Sequence, residues 1–309
     1  MFLLIMLCCL LAGGTAASVQ NVPPSPSNTG GPIRTLQLDD GVSVRYLKVG
    51  HGRPLILLHT IRTQLEYFDS LIPKLKDHYE IYALDLPGHG QSSLPAIEYT
   101  EPLLRRWVMQ FIERLGLRDV TLAGESIGGV LALTVAAELP DRVARVVSLN
   151  PYDYGERFGG GIRRSANGWI ISLFDLFGCR TVETRFALAA VLRGGFYDPS
   201  KLPDDLLGEF DRSGERPGFR CAESSVFANW HSWIEARPLY VRIKVPVTLV
   251  YGDHDWSKPP ERSANQKLLR RAKLIVLEST GHFSALENPA AIANLIVGNP
   301  LAECCHETR

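Results

Sequence analysis

The chain has 309 residues, 45% of them hydrophobic, and its 33 basic side chains are balanced by 33 acidic ones. A nearly neutral chain with no basic stripe interleaved with aromatics excludes a nucleic-acid surface and an anionic-membrane surface. Its length and apolar content fit a soluble globule with a sizeable core and exclude a disordered chain.

The first segment, residues 1–17, has an apolar core from Phe2 to Ala12 followed by small residues, the pattern of a secretory signal peptide, and implies a secreted or periplasmic protein. No Lys or Arg precedes Arg34, so an uncleaved N-terminal anchor, the one expected route to a membrane, and a misplaced start stay open. Residues 18–32 form a Pro/Ser/Gly linker, and the folded part is expected from Ile33.

Short runs rich in branched apolar residues follow: 42–49, 54–58, 80–84, 120–123, 143–149, 245–251 and 273–277. Such runs predict strands buried on both faces. Thr100 to Leu115 has helical spacing, a capping threonine and a stop at Gly116, and Ser126–Glu138 and Ala285–Val297 read as helices too. The alternation predicts an α/β fold with a mostly parallel sheet flanked by helices. Residues 33–150 and 241–300 form its core. Residues 151–240 lack a strong strand and carry spaced aromatics, Trp169, Phe174, Phe177, Phe186 and Phe196, then Trp230 and Trp233. This segment is expected to be a helical lid over the carboxyl ends of the strands, where sites form in open α/β sheets. Residues 301–309 read as a tail, with Cys304 and Cys305 frayed. Cys179 and Cys221 are read either as a disulfide pair in an oxidising compartment or as free thiols.

Gly124-Glu125-Ser126-Ile127-Gly128 sits between an apolar strand and a helix. A strand that becomes a helix within one residue forces that residue into a strained conformation, and glycines two positions away leave room for it. The Ser126 hydroxyl is thereby exposed at a helix N-terminus, where the Ile127 N–H faces a developing oxyanion. Serine needs a base, and the base an acid to hold its tautomer. Asp255 follows one strand in YGDHD, and His282 follows another in STGHF.

The motifs LILLHT, LDLPGHGQSS, GESIGG, YGDHD and GHF, in this order over residues 33 to 300, resemble the α/β-hydrolase fold superfamily, in its lidded, esterase-like branch. The resemblance implies Ser126 as nucleophile, His282 as base and Asp255 as orienting acid, with Asp253 and Asp153 as competitors for the acid's role. It also implies that His59 supports the oxyanion loop and that His89 belongs to a turn without chemistry. Where relatives read His-Gly, this chain reads His59-Thr60, so the first oxyanion donor is expected at Ile61 on a loop that runs differently. Arg62 and Gln64 are near enough to line the pocket, although a structural arginine is the default reading. Thr60, Arg62, Trp230 and Trp233 are the candidate substrate contacts.

No metal is called for, because His254 lacks a third ligand at suitable spacing, and no cofactor is expected. The expected partner is a small-molecule substrate, with no stable protein partner implied. A serine at the elbow argues against dehalogenase and epoxide hydrolase chemistry, whose relatives carry aspartate there. The expectation is hydrolysis of a fairly apolar ester, lactone or thioester through an acyl-enzyme. The alternatives are hydrolysis of a carbon-carbon bond in a diketone, acyl transfer, cofactor-free peroxidase chemistry, and a ligand-binding member without turnover.

Overall fold

The computed structural model describes residues 30–39, 41–154, 178–180, 183–298 and 305–307. The leader, the linker up to residue 29, Trp169, Phe174, Phe177 and Cys304 therefore lie outside the described residues.

Among the described residues nine strands form one sheet: β1 (Ile33–Gln37), β2 (Ser43–Gly50), β3 (Arg53–Leu58), β4 (Tyr79–Leu84), β5 (Val120–Glu125), β6 (Val143–Leu149), β7 (Val247–Gly252), β8 (Lys273–Leu277) and β9 (Cys305–Glu307). Their order is β1-β2-β4-β3-β5-β6-β7-β8-β9. The central pairs from β4 through β8 are parallel, whereas β1, β2 and β9 pair antiparallel with their neighbours. Two strands depart from expectation. β1, whose sequence IRTLQ has no apolar run, is not among the expected strands; it is an edge strand, mostly turned to solvent. Cys305–Glu307, expected to be frayed, pairs antiparallel with Leu277–Ile275 and closes the other edge.

Alternate residues of the central strands enter separate apolar layers, which is why these strands read as unbroken hydrophobic runs. Ile56, Leu58, Leu122, Val146 and Leu249 face one layer. Leu55, Leu57, Ala123, Val147 and Val250 face the other. The first layer is covered by α1 (Glu101–Arg114) and α2 (Ile127–Glu138). Helix α2 is buried on nearly every side, as a sequence apolar but for Thr134 and Glu138 requires. The Thr100 side chain makes no cap bond; the Glu101 N–H is taken instead by Ser232 Oγ at 3.0 Å. The helix ends at Gly116, whose φ of 63° a side chain would resist.

Between β6 and β7 the described chain forms α3 (Arg185–Arg193), α4 (Asp204–Gly214), α5 (Phe219–Ala228) and α6 (His231–Glu235). Helix α7 (Pro259–Leu268) follows β7. The expected last helix is two, α8 (Ser284–Glu287) and α9 (Pro289–Val297). Pro289 lacks the N–H that a continuous helix would use, and Asn288 caps the second helix through its side chain. Cys179 and Cys221 are both free and exposed. The neighbouring Cys179 thiol, with burial next, raises the pKa of Cys221.

Candidate active site

The strand ends converge on Ser126. It has φ 59° and ψ −116°, and a serine there is strained. The flanking glycines are required by space. A Cβ on Gly128 would stand 2.1 Å from the Leu58 carbonyl oxygen, and one on Gly124 2.2 Å from that of Gly128. Helix α2 therefore starts hard against the end of β3, which brings the residue 60–63 turn beside the elbow. Ile127 opens α2, so its N–H has no acceptor within the helix. Of five non-glycine residues with positive φ among those described, Arg62, Ser126, Asn150 and Ser279 all lie on loops beyond the carboxyl ends of strands.

His282 Nδ1 lies 2.6 Å from Asp255 Oδ1, and the two side chains are 1% and 0% exposed. Asp255 Oδ2 also accepts from Tyr154 OH and the Ser257 N–H, both at 2.9 Å, and from the Ser257 hydroxyl. Burial alone would raise this carboxyl's pKa, but the charge and hydrogen bond of His282 and the two bonds from Ser257 bring it down to about 2. An ionised Asp255 can only accept, so in the neutral form of the ring His282 holds its one proton on Nδ1 and has Nε2 free to accept another. Trp256 stacks on the imidazole with centroids 4.0 Å apart and planes at 21°.

The two competing aspartates are engaged elsewhere. Asp153 accepts from Tyr240 OH at 2.7 Å and from Asn265 Nδ2 at 2.8 and 3.0 Å. Asp253 holds the backbone N–H groups of Ser279 and Thr280 and the His254 ring.

Two buried residues with no assigned role in the sequence reading tie the loops together. Glu125, next to Ser126, accepts from Asn150 Nδ2 at 3.0 Å, from the Ser284 N–H at 2.7 Å and hydroxyl at 2.5 Å, from the Ala285 N–H at 3.2 Å and from Tyr67 OH. Asn150 Nδ2 also donates to the His282 carbonyl at 2.9 Å, while its Oδ1 accepts the Gly252 N–H at 3.0 Å. Thus Glu125 clamps the Ser126 loop to the His282 loop, and Asn150 adds the loop that carries Asp255. Among the described residues no hydrogen bond joins the Ser126 hydroxyl to His282, a contact that often tightens only with substrate bound. The only sequence cue to Glu125 and Trp256 is adjacency to Ser126 and Asp255.

The turn after β3 explains the missing glycine. The Thr63 N–H and hydroxyl both bond the Thr60 carbonyl, at 3.3 and 2.8 Å, and the positive φ falls on Arg62, at 67°, not on Thr60. His59 Nε2 accepts from the Leu86 N–H at 2.9 Å, so its Nδ1 donates to the Thr60 carbonyl at 2.7 Å. Burial lowers the His59 pKa to about 4, and the neutral ring braces the turn. His89 packs edge-on against His59, buried, with its pKa lowered to about 3 chiefly by burial.

One pocket is lined by this turn together with Val191, Phe227, Trp256, Phe283, Glu183 and Glu223. Thr60, Ile61 and Arg62 line it. Trp230 and Trp233 do not, and the expectation for them is corrected: Trp233 is fully buried in the layer under α1, and Trp230 packs edge-on against His231. The aromatic wall comes from Trp256, Phe227 and Phe283 instead. Arg62 is buried and structural as well as pocket-lining. Its Nε and Nη2 both donate to Glu183, its Nη1 donates to the Phe210 carbonyl at 2.9 Å, and its face lies 4.9 Å from the centre of the Phe219 ring.

Comparison with known proteins agrees with this architecture. The sequence pattern of the Alpha/beta hydrolase family matches residues 51–295, well over half of the chain. A 2-hydroxy-6-oxo-2,4-heptadienoate hydrolase of Pseudomonas putida is 26% identical over 283 residues, covering 87% of this chain and 97% of the relative. An (E)-2-((N-methylformamido)methylene)succinate hydrolase of Acinetobacter baylyi is 36% identical over 117 residues, 38% of this chain, and that match spans only 44% of the relative. Among solved structures, Cfl2 of Burkholderia cenocepacia superposes with a TM-score of 0.73 at 24% identity, covering 88% of this chain and 96% of that one.

Proposed function

The chain belongs to the alpha/beta hydrolase family, and on that premise we propose that it is a serine hydrolase cleaving a fairly apolar carboxylic ester, or a related lactone or thioester, through an acyl-enzyme on Ser126. The observation that carries this reading is the buried His282–Asp255 bond, fixed by Glu125 and Asn150 to the loop of a serine held at positive φ. His282 Nε2 takes the Ser126 proton as the hydroxyl attacks the carbonyl carbon, and Asp255 stabilises the imidazolium that forms. The Ile61 and Ile127 N–H groups receive the oxyanion. His282 then protonates the leaving group and activates water against the acyl-enzyme. Val191, Phe227, Trp256 and Phe283 line the pocket for the acyl group.

The full-length likeness to a 2-hydroxy-6-oxo-2,4-heptadienoate hydrolase supports a second reading, carbon-carbon bond hydrolysis of a vinylogous diketone by the same residues. A panel of p-nitrophenyl esters of graded acyl length, run beside a lactone, a thioester and a diketone, separates the two. The ester reading predicts a rise in kcat/KM from acetyl to medium-length chains, about fourfold for each methylene buried at about 0.8 kcal/mol, then a fall. Turnover of the diketone alone overturns it.

A further inference from the structure

Part of the pocket lining is charged, from Arg62, Glu183 and Glu223, and these groups are paired with one another and with Arg220. Arg62 spends its Nε and Nη2 on Glu183, and Arg220 Nη1 donates to Glu183 and, at 3.2 Å, to Glu223. Glu223 Oε1 is also 3.4 Å from Arg62 Nε. Two guanidinium groups thus meet two carboxyl groups, whose side chains are 3% and 9% exposed, and burial pushes that of Glu223 up to about 7. Arg62 has its remaining donor edge on the Phe210 carbonyl and its face on Phe219. A substrate carboxylate entering here would meet Glu183 and Glu223 already seated on Arg62 Nε and Nη2 and on Arg220 Nη1. It would have to displace them or stay unpaired beside apolar walls, at a cost of several kcal/mol.

We propose that Glu183 and Glu223 set the charge specificity of this site: they occupy on Arg62 and Arg220 the positions a substrate carboxylate would take, and so restrict the pocket to acyl groups that carry no negative charge. This rests on the reading of the site as an ester hydrolase. Glu183 and Glu223 are specificity-determining residues and take no part in the bond-making steps. Replacing either carboxylate by an amide of the same shape leaves a guanidinium partly unmatched and turns the same pocket into a carboxylate acceptor.

The test compares p-nitrophenyl butyrate with p-nitrophenyl hemisuccinate, whose acyl group is of the same length but ends in a carboxylate. For the wild type, kcat/KM is expected to favour the butyrate by at least about 100-fold, the ratio that follows from leaving one charge imperfectly paired. In Glu183→Gln, and separately in Glu223→Gln, that ratio should fall by about tenfold or more through a gain on the hemisuccinate. The second variant guards against the first failing to fold. A wild-type ratio near one, or a ratio unmoved in both folded variants, overturns the proposal. Calorimetric binding of the two esters to Ser126→Ala gives the same ratio without chemistry. Absence of turnover with a large binding ratio would thus refute the ester reading and leave the charge selection standing, whereas equal binding would refute the charge selection.

Discussion

Glu125→Gln is the most informative perturbation of the site, because it changes one atom and touches neither the nucleophile nor the base. The carboxylate accepts from five groups, with Oε1 facing Asn150 Nδ2 and the Ser284 N–H and hydroxyl, and Oε2 facing Tyr67 OH and the Ala285 N–H. Whichever oxygen becomes an amide NH2, a backbone N–H of the His282 loop loses its acceptor. Tyr67 and Ser284 can rotate their hydroxyls; a backbone N–H cannot move. A buried unpaired N–H costs about 1–3 kcal/mol, and the other bonds lose the charge assistance that roughly doubles a neutral one. The loss of stability is therefore expected to be about 2–4 kcal/mol, read as a lower midpoint of urea unfolding. The loop carries His282, and a misplacement of about 1 Å at a reacting group costs about 100-fold in rate. Steady-state kinetics should show kcat down by about 10- to 100-fold, with KM within about threefold, because Glu125 does not touch the pocket. Unfolding within about 0.5 kcal/mol of wild type together with unchanged kcat would refute the reasoning. A stability loss with unchanged kcat would reduce Glu125 to a purely structural role.

Other outcomes follow from the same geometry. Asp255→Asn should lower kcat by about ten-thousandfold, while Asp153→Asn and Asp253→Asn change it by less than about tenfold, in an ester assay; the reverse ranking would move the acid. Ser126→Gly should abolish turnover yet unfold about 1 kcal/mol later than Ser126→Ala, because glycine relieves the positive φ; equal midpoints for the two variants would remove the strain argument. Asp69, half-buried and close to Glu66, Asp205 and Glu209, has its pKa raised from 3.8 to about 7, by burial first and those carboxylates next. The native state therefore binds a proton that the unfolded chain has released, and stability falls as pH rises from about 4 to about 7. Asp69→Asn should accordingly unfold with the wild type at pH 4 and about 1 kcal/mol later at pH 8, after allowance for solvent screening; a difference that is larger at pH 4 would reverse the sign.

The parts of the fold and site that were legible in the sequence share a cause. Buried parallel strands must be apolar on both faces, so β3 to β8 stood out as hydrophobic runs. The elbow stood out because Gly124 and Gly128 leave no space for a Cβ, a demand that only one residue type meets. Asp255 and His282 were findable because each follows such a strand, and the structure bonds them directly. What failed to show was decided by contacts distant in sequence. Trp233 and Trp256 are the same residue type, yet one is sealed under α1 and the other stacks on His282. Nothing in the local sequence separates them. Glu125 looked like a spacer within a motif, because its five donors come from positions 67, 150, 284 and 285. Arg62 could be placed near the pocket by its distance from His59, but its neutralisation by Glu183 spans 121 positions. β9 was missed because a three-residue strand has no pattern of its own and exists only by pairing with β8.

The central claim is that Ser126, activated by His282, is the nucleophile. Incubation of the intact protein with a fluorophosphonate, followed by mass mapping of the digested chain, tests it most directly. The account predicts one stoichiometric adduct on the peptide containing Ser126, absent from Ser126→Ala and formed about a thousandfold or more slowly in His282→Gln. Ester turnover by a protein that takes no adduct at Ser126, or that takes one at another residue, would contradict it.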